Sequence, residues 1–515
     1  MHLAPAAGFG KTTKLHACGA AALLILVVLL RFGTFGHTVL DPDESVYLLI
    51  GQGILKGRIP YVEIWDHKPP GVYYLFAAAL GLFGGSLLAI RLLACAAVWA
   101  SSVLLVIFSR AAFRTAFVGY IAAIVYACFS MTNEGLATNT EILFTPFVIA
   151  GMTIVMLTAA DTSPSRKSLL FAAGLAFGIA LQIKYVVIFE TALATAIVFR
   201  HLYRTRSSWL EAFSKAIVFA AGGVAPWICA VAVFLWTGAF HEYWYANFVA
   251  NAIHVHNTPW SWQAAALAAE VQLRGNFLLW CAVVTSVVWL FTAPTTASDS
   301  KWRLIFLLLW LVASALGVCV TRRFYPHYSL QMLAALALIT GFISWQLVES
   351  IAASGWRHRV APLLLMLLPG LVPTVADPLR ESAQSALSLV RTKSLPLDEP
   401  ARVAGYLNQR IDRDSYLYVA DYQPVLYYLV NARRPTRYLF PQFLTSRRFA
   451  MVAGVDPVRE LDFIILRQRP AFVVTRKEPA SGIVFREALQ KHLARDYVMD
   501  RTFADAIVYR RQQGE

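Results

Sequence analysis

The chain reads Lys11-Thr12-Thr13-Lys14, then ACGAAALLILVVLLRF from Ala17 to Phe32, then Asp41-Pro42-Asp43-Glu44. Lysines, an apolar run broken only by Arg31, and a carboxylate cluster thus follow one another in a short distance. Hydrocarbon offers backbone groups no partners except each other, so an apolar run of this length reads as a spanning helix. It is too long for the apolar core of a signal peptide, and no small-residue cleavage site follows closely, so an uncleaved anchor is expected. The two lysines assign its start to the cytoplasm and the carboxylates to the outside.

Outward from this stretch the pattern repeats. Further apolar blocks fall near 86–109, 115–131, 140–159, 168–183, 185–200, 213–238, 270–293, 302–320, 329–348 and 359–376. A shorter block at 70–84 is expected to lie at the interface. The sum is about eleven spans. With that count the short inside loops are all basic, holding Arg110 and Arg114, Arg166 and Lys167, Arg200 to Lys215, Lys301 and Arg303, and Arg357 and Arg359. Letting 70–84 span would invert everything after it and break the agreement with the positive-inside rule.

Of the 515 residues, 58% are hydrophobic and 15% charged, against roughly 25% charged in soluble domains. The net charge of +15 would suggest nucleic acid in a soluble protein. Here it is the expected bias of cytoplasmic loops, and nucleic-acid binding is set aside. Six cysteines lie in or beside apolar blocks without a CxxC spacing and read as small buried hydrophobes.

From Asp377 onward no run could span. Strands are expected at Ser415–Ala420, Thr436–Phe440, Ala471–Thr475 and Ala506–Tyr509, and helices at Ala401–Ile411, Val458–Gln468 and Phe485–Arg495. The expected fold is an all-α polytopic membrane bundle over 1–376 with an extracytoplasmic α/β domain over 377–515.

The chemistry-bearing residues gather in outside loops. In Asp41-Pro42-Asp43-Glu44, repulsion and partial desolvation raise proton affinity. Pro42 suits a first helical turn and Asp41 an N-cap, so one reading is a plain cap. The other is a general base at the lipid–water boundary. In His67-Lys68-Pro69-Pro70-Gly71 two prolines fix the backbone beside Lys68. A lysine so held suits a lipid phosphate, or ordinary snorkelling. Lys184 and Arg323 stand at outer ends of expected spans, where ionisable residues are functional candidates; a salt bridge to Glu141 would also account for Lys184. Arg31 and Arg91 either pair with loop carboxylates or contact substrate. His254 and His256 would point the same way on an extended segment and could then bind a metal. Tyr325, His327 and Tyr328 could contact a sugar, although interface aromatics are expected there in any case.

Asp43-Glu44, Tyr47, Gly57, Pro60-Tyr61 and Trp65-Asp66-His67-Lys68-Pro69-Pro70-Gly71 together resemble the first external loop of bacterial GT-C glycosyltransferases. That superfamily includes the protein O-mannosyltransferases and the lipid A aminoarabinose transferase. Asn139-Thr140-Glu141 resembles its second external loop, and Arg323-Phe324-Tyr325-Pro326-His327-Tyr328 a later one. The resemblance covers roughly residues 17–350. It implies a glycosyltransferase that passes a sugar from a polyprenyl phosphate to an acceptor hydroxyl, usually with inversion, in a bacterial plasma membrane. It implies Asp43 as base, Glu141 as the second-loop acid, and Lys68 facing the donor phosphate, with Lys184 and Arg323 as further cations. Tyr47, His67, Tyr325, His327 and Tyr328 are the candidate substrate contacts. His67 and Asp41 are additions to the family pattern, so Asp41, Asp43, Glu44 and Glu141 all stay open as the base.

No cofactor is required by this reading; an acidic pair can hold a divalent metal or work without one. The acceptor is an envelope glycan, lipopolysaccharide or its lipid A, or a protein hydroxyl. The competing reading is a transporter or flippase for a lipid-linked sugar. That would place charges and broken helices near the midplane, often in repeats, whereas these carboxylates cluster in loops.

Overall fold

The computed structural model describes residues 7–160, 167–204, 208–294, 297–353, 368–478 and 482–512. Seven helical segments among them are long and apolar enough to cross a membrane: His16–Gly36, Leu88–Phe113, Thr140–Thr158, Tyr185–Arg204, Trp209–Trp236, Ser298–Val320 and Pro326–Ser350. Trp262–Gly275 and Phe277–Thr292, bent by 93° at their junction, make an eighth if counted together. The chain is a multi-pass membrane protein.

The expected eleven spans are not reached by length. Phe117–Phe129 has 13 residues and Lys167–Ile183 has 17. At about 1.5 Å per residue such helices fall short of a hydrocarbon core of roughly 30 Å. Both are nevertheless packed into the bundle, the first against Leu88–Phe113 and Leu333–Ala353, the second against Trp209–Trp236. The block at 70–84 forms the 13-residue helix Gly71–Phe83. The first half of the expected span 359–376 lies outside the described residues, and the second half begins the helix Leu368–Thr392.

Lys167–Ile183 and Trp209–Trp236 approach closely. A methyl group on Gly174 would overlap the carbonyl of Phe219, and one on Gly222 the carbonyl of Phe171. Lipid tails are as apolar as leucine, so helices in a bilayer associate through this kind of backbone-level packing.

Polar ties then fix the end of the bundle that carries the acidic and aromatic loops described above. Arg31, buried at the end of the first span, donates to the carbonyls of Ser130, Gly135 and Leu136 at 3.1, 2.6 and 3.2 Å. The helix Pro42–Leu55 begins with Asp41 as N-cap and Pro42 in its first turn. Asp41 accepts from the Asp43 amide at 2.8 Å, and Glu44 accepts from the amides of Leu40 and Asp41, closing a capping box. Glu44 does more than cap. It forms a two-pronged ion pair with Arg91, at 2.5 and 3.0 Å, and accepts from the Thr138 amide. Arg91 and Glu44 are each 1% exposed.

A helix Leu368–Thr392 crosses the boundary expected at 376/377 and packs on the turn Phe32–Gly36. Beyond it the C-terminal unit forms a four-stranded sheet in the order β1-β2-β4-β3: β1 (Leu417–Val419), β2 (Phe472–Arg476), β3 (Tyr497–Thr502) and β4 (Ala506–Arg511). β1 runs parallel to β2; the other pairs are antiparallel. Helices Glu399–Asn408, Pro457–Asp462 and Ile483–Asp496 accompany it. The strand expected at Thr436–Phe440 is not formed. There the Tyr438 amide turns back to the Thr436 hydroxyl, and the Arg437 carbonyl accepts from the Trp65 amide at 3.0 Å, docking this segment on the first long loop.

Replacing Arg91 by Gln leaves the Glu44 carboxylate buried without its counter-ion. Breaking such a pair costs about 3–5 kcal/mol. Thermal unfolding in detergent is expected to show a large drop for Arg91→Gln, and a smaller one for the double variant Glu44→Gln/Arg91→Gln. Equal drops would mean that the pair contributes nothing through its charge.

Candidate active site

The loop after the first span and the turn before Pro326 converge on a polar cavity of about 230 Å³. Asp41, Asp43, Asp66, His67 and Lys68 line it from the first loop, Glu134 from the second, and Arg323, Tyr325, His327 and Tyr328 from the later one. Phe440, Gln442 and Phe449 of the C-terminal unit close it.

Asp43 is the best-held acid. Its Oδ2 lies 2.9 Å from the Lys68 ammonium and accepts from the Tyr47 hydroxyl at 3.1 Å. The Lys68 ammonium also sits over the Tyr47 ring, 5.3 Å from its centre. Burial would push the Asp43 carboxyl up, but the Lys68 ammonium outweighs it and holds the group well below the usual carboxylate range. Asp41 goes the other way. Burial, and then the negative charge of Asp43, push it up to about 7. Two carboxylates two residues apart therefore have opposite protonation behaviour, a division that acid–base sites use.

Lys68 is positioned from behind. The hydroxyls of Tyr61 and Tyr73 donate to its carbonyl at 2.8 and 3.3 Å. Asp66 accepts from the Tyr73 hydroxyl at 2.9 Å and from the His67 amide at 2.8 Å. Burial works against the Asp66 charge, and Lys68 again holds the carboxyl low.

Other sequence candidates are placed differently. Glu44 does not reach the cavity; it is committed to Arg91. Glu141, 1% exposed, is bound to the Lys184 ammonium and accepts from the Thr140 hydroxyl, and Lys184 lies 3.9 Å from the centre of the Tyr328 ring. This is the salt bridge that the sequence allowed, and neither residue lines the cavity. Tyr47 supports Asp43 and Lys68 rather than facing the open space.

His254 and His256 do not act as a pair. They lie two apart on the helix Ala250–His256, where such residues point to different sides. His254 instead faces His67, ring centres 5.2 Å apart. The contributions of Glu134, Asp66 and the C-terminal aromatics were not identified from sequence, and His254 was read there only as half of a metal-binding pair. For Glu134 one signal exists, since Asn133-Glu134 is a polar pair in a loop expected outside.

Backbone strain concentrates here. Asn133 and Glu134 have φ of 55° and 63°, and Arg322 and Phe324, on either side of Arg323, have φ of 57° and 54°. Non-glycine residues in this region cluster at binding sites, where they aim a side chain. Glu134 is thereby brought to His327, 2.9 Å from its Nδ1. Among the described residues, Asp41, Glu134 and His327 offer ligand atoms within 4.8 Å of one another and could hold a divalent metal.

The family of dolichyl-phosphate-mannose-protein mannosyltransferases matches residues 67–236. The fold is similar to that of ArnT from Cupriavidus metallidurans, solved bound to undecaprenyl phosphate. The TM-score is 0.59 at 16% identity, over 98% of each chain. It is also similar to the archaeal oligosaccharyltransferase AglB from Archaeoglobus fulgidus, solved with an inhibitory peptide and a dolichol-phosphate. There the TM-score is 0.54 at 11% identity, over 90% of this chain and 70% of that one. No curated protein matches by sequence. The fold is the GT-C fold that the loop motifs resemble.

If Lys68 is what keeps Asp43 ionised, Lys68→Met raises the proton affinity of Asp43. Difference infrared spectra are expected to gain a protonated-carboxyl band as the pH is lowered from neutral, at a pH where the unmodified protein shows none from Asp43. An unchanged spectrum would assign the hold on Asp43 to other groups.

Proposed function

We propose that this chain is an integral-membrane glycosyltransferase that moves a sugar from a polyprenyl phosphate to an acceptor hydroxyl. The transfer takes place at the extracytoplasmic face of a bacterial plasma membrane, with inversion. The observation that carries this reading is a continuity of surfaces. The polar cavity holding Asp43 and Lys68 adjoins, at Arg323 and Tyr325, an apolar groove of about 510 Å³. Leu267, Val271, Trp280, Val318 and Met332 line the groove. An isoprenoid chain suits the groove, its phosphate the cationic junction, and a sugar the polar cavity. The lipids in the two similar solved structures, undecaprenyl phosphate and dolichol-phosphate, support a donor of this class.

The chemistry follows from the residues. A sugar or lipid hydroxyl is a weak nucleophile at neutral pH, so its proton must leave as it attacks. In the proposed step the acceptor oxygen bonds to the anomeric carbon and its proton passes to Asp43. The bond from that carbon to the phosphate oxygen breaks, and its electron pair leaves with the polyprenyl phosphate. One displacement inverts the centre. A lipid phosphate departs without an acid, unlike the leaving alcohol in glycoside hydrolysis. What it needs is a cation on the developing charge, and Lys68 supplies it. As Lys68 turns toward the phosphate its hold on Asp43 is shared, and the proton affinity of Asp43 rises at the moment the proton arrives. Asp41, when ionised, adds to that affinity through its negative charge.

The basic loops at one end of the spans, and the acidic and aromatic loops at the other, support the extracytoplasmic assignment. An envelope glycan or lipopolysaccharide is the proposed acceptor class, since such acceptors share the outer leaflet or the space beside it with the donor.

The test incubates the purified protein with a panel of polyprenyl-phosphate sugars and an envelope extract, following donor loss and release of free polyprenyl phosphate. One donor is expected to be consumed. Asp43→Asn is expected to lower kcat/KM by roughly 10²–10⁴-fold, the usual range for a lost general base. The pH profile is expected to fall as pH drops through about 7, where Asp41 takes up its proton. Asp41→Asn should flatten that limb with a smaller loss at the plateau. Full activity in Asp43→Asn with none in Asp41→Asn would transfer the base to Asp41, and no donor consumed by the unmodified protein would end the glycosyltransferase reading.

A further inference from the structure

Two arginines, Arg323 on the cavity wall and Arg448 next in sequence to the cavity-lining Phe449, carry shielded N–H groups with no acceptor among the described residues. Arg323 donates from Nη1 to the Tyr325 hydroxyl at 3.0 Å, but its Nε and Nη2 are shielded from water and bond to nothing. Arg448, on the C-terminal helix Arg447–Ala453, likewise has shielded Nε and Nη2 without a partner. The Arg323 guanidinium lies 4.5 Å from the ring centre of Phe449, which lines the cavity and is the residue after Arg448. The nearby carboxylates are already engaged, Asp43 by Lys68 and Glu134 by His327. His254 brings no negative charge; burial, and then His67, Arg323 and Arg448, push its imidazole down to about 2 and keep it neutral.

Unsatisfied buried donors are costly, and charged ones more so. Two guanidiniums close enough to interact, burial and then Arg323 pushing the Arg448 proton affinity down, each with unused N–H groups, suit a shared oxyanion. A tetrahedral phosphate is the best fit, because the planar fork of each arginine can present two parallel donors to it. The place of the pair narrows the source. Arg323 lines both the polar cavity and the apolar groove, so a phosphate there has its lipid tail in the groove and its sugar toward Asp43.

We propose that Arg448 of the C-terminal unit and Arg323 of the membrane bundle together clamp the phosphate of the lipid donor, so that the C-terminal unit completes the donor site. The inference rests on the glycosyltransferase reading above. It gives the C-terminal unit a direct part in binding, and it leaves Lys68 to act on the bond that breaks.

The experiment measures binding of polyprenyl phosphate, and of polyprenol lacking the phosphate, to the full chain in nanodiscs as a function of salt. The unmodified protein, Arg448→Gln and Arg448→Lys are compared. Nε and Nη2 of Arg448 have no partner among the described residues, so both variants are expected to melt with the unmodified protein and to bind polyprenol equally. Polyprenyl phosphate is expected to bind Arg448→Gln about tenfold more weakly or worse, as for loss of a charge-assisted contact. The salt dependence should become shallower, with partial recovery in Arg448→Lys. In turnover the loss should fall on the donor KM and not on the acceptor KM. Undiminished, equally salt-sensitive binding to Arg448→Gln would overturn the clamp and leave the glycosyltransferase reading standing. A loss confined to the acceptor KM would also overturn it, giving the pair to an anionic acceptor. If the unmodified protein does not distinguish polyprenyl phosphate from polyprenol, the donor class itself is wrong.

Discussion

The ion pair between Glu44 and Arg91 joins the loop after the first span to the helix Leu88–Phe113, in a place from which water is excluded. The same carboxylate receives the amides of Leu40, Asp41 and Thr138, so three segments meet on one side chain. A buried pair of this kind contributes little net stability compared with well-packed apolar residues. What it does contribute is position. Asp41 and Asp43 belong to the same helical turn as Glu44, and their place at the cavity follows from where Glu44 is fixed. Lys184 and Glu141 repeat the device behind the cavity-lining Tyr328, whose ring lies against the ammonium.

Against those closed pairs, the pair of Asp43 with Lys68 is open to the cavity. A closed pair can only hold shape. An open one can exchange partners when a phosphate or a hydroxyl arrives, and burial makes that exchange energetically larger than it would be in water. The four carboxylates suggested by sequence thus divide by access. Glu44 and Glu141 are framework, while Asp41 and Asp43 face the space where a substrate would sit. The C-terminal unit adds to this by drying the site from above: Phe443 packs edge-on against Trp65 at 4.6 Å, and Phe440 and Phe449 line the cavity.

Some errors of sequence reading have clear physical causes. The strand Tyr497–Thr502 is an edge strand with exposed Val498, Met499 and Arg501, so it shows no alternation to find. Thr436–Phe440 has β-type residues, yet its backbone groups are taken by a hydroxyl and by the first loop. Phe117–Phe129 sits in an apolar block of spanning length, but its helix stops short, because composition does not say where a helix ends.

The sequence alone determined the membrane bundle, the Asp41 cap and the loops whose polar residues meet at the cavity. These are local properties: apolar length, charge beside a span, and residue type at a helix start. Tertiary structure decided which acid faces the cavity, that Lys184 belongs to Glu141, that His254 meets His67 instead of pairing with His256, and that Arg323 meets the ring of Phe449. Each of those depends on two segments far apart in the chain meeting at a given distance and angle. Helix packing and the docking of the C-terminal unit set that geometry, and no short-range pattern in one chain encodes it.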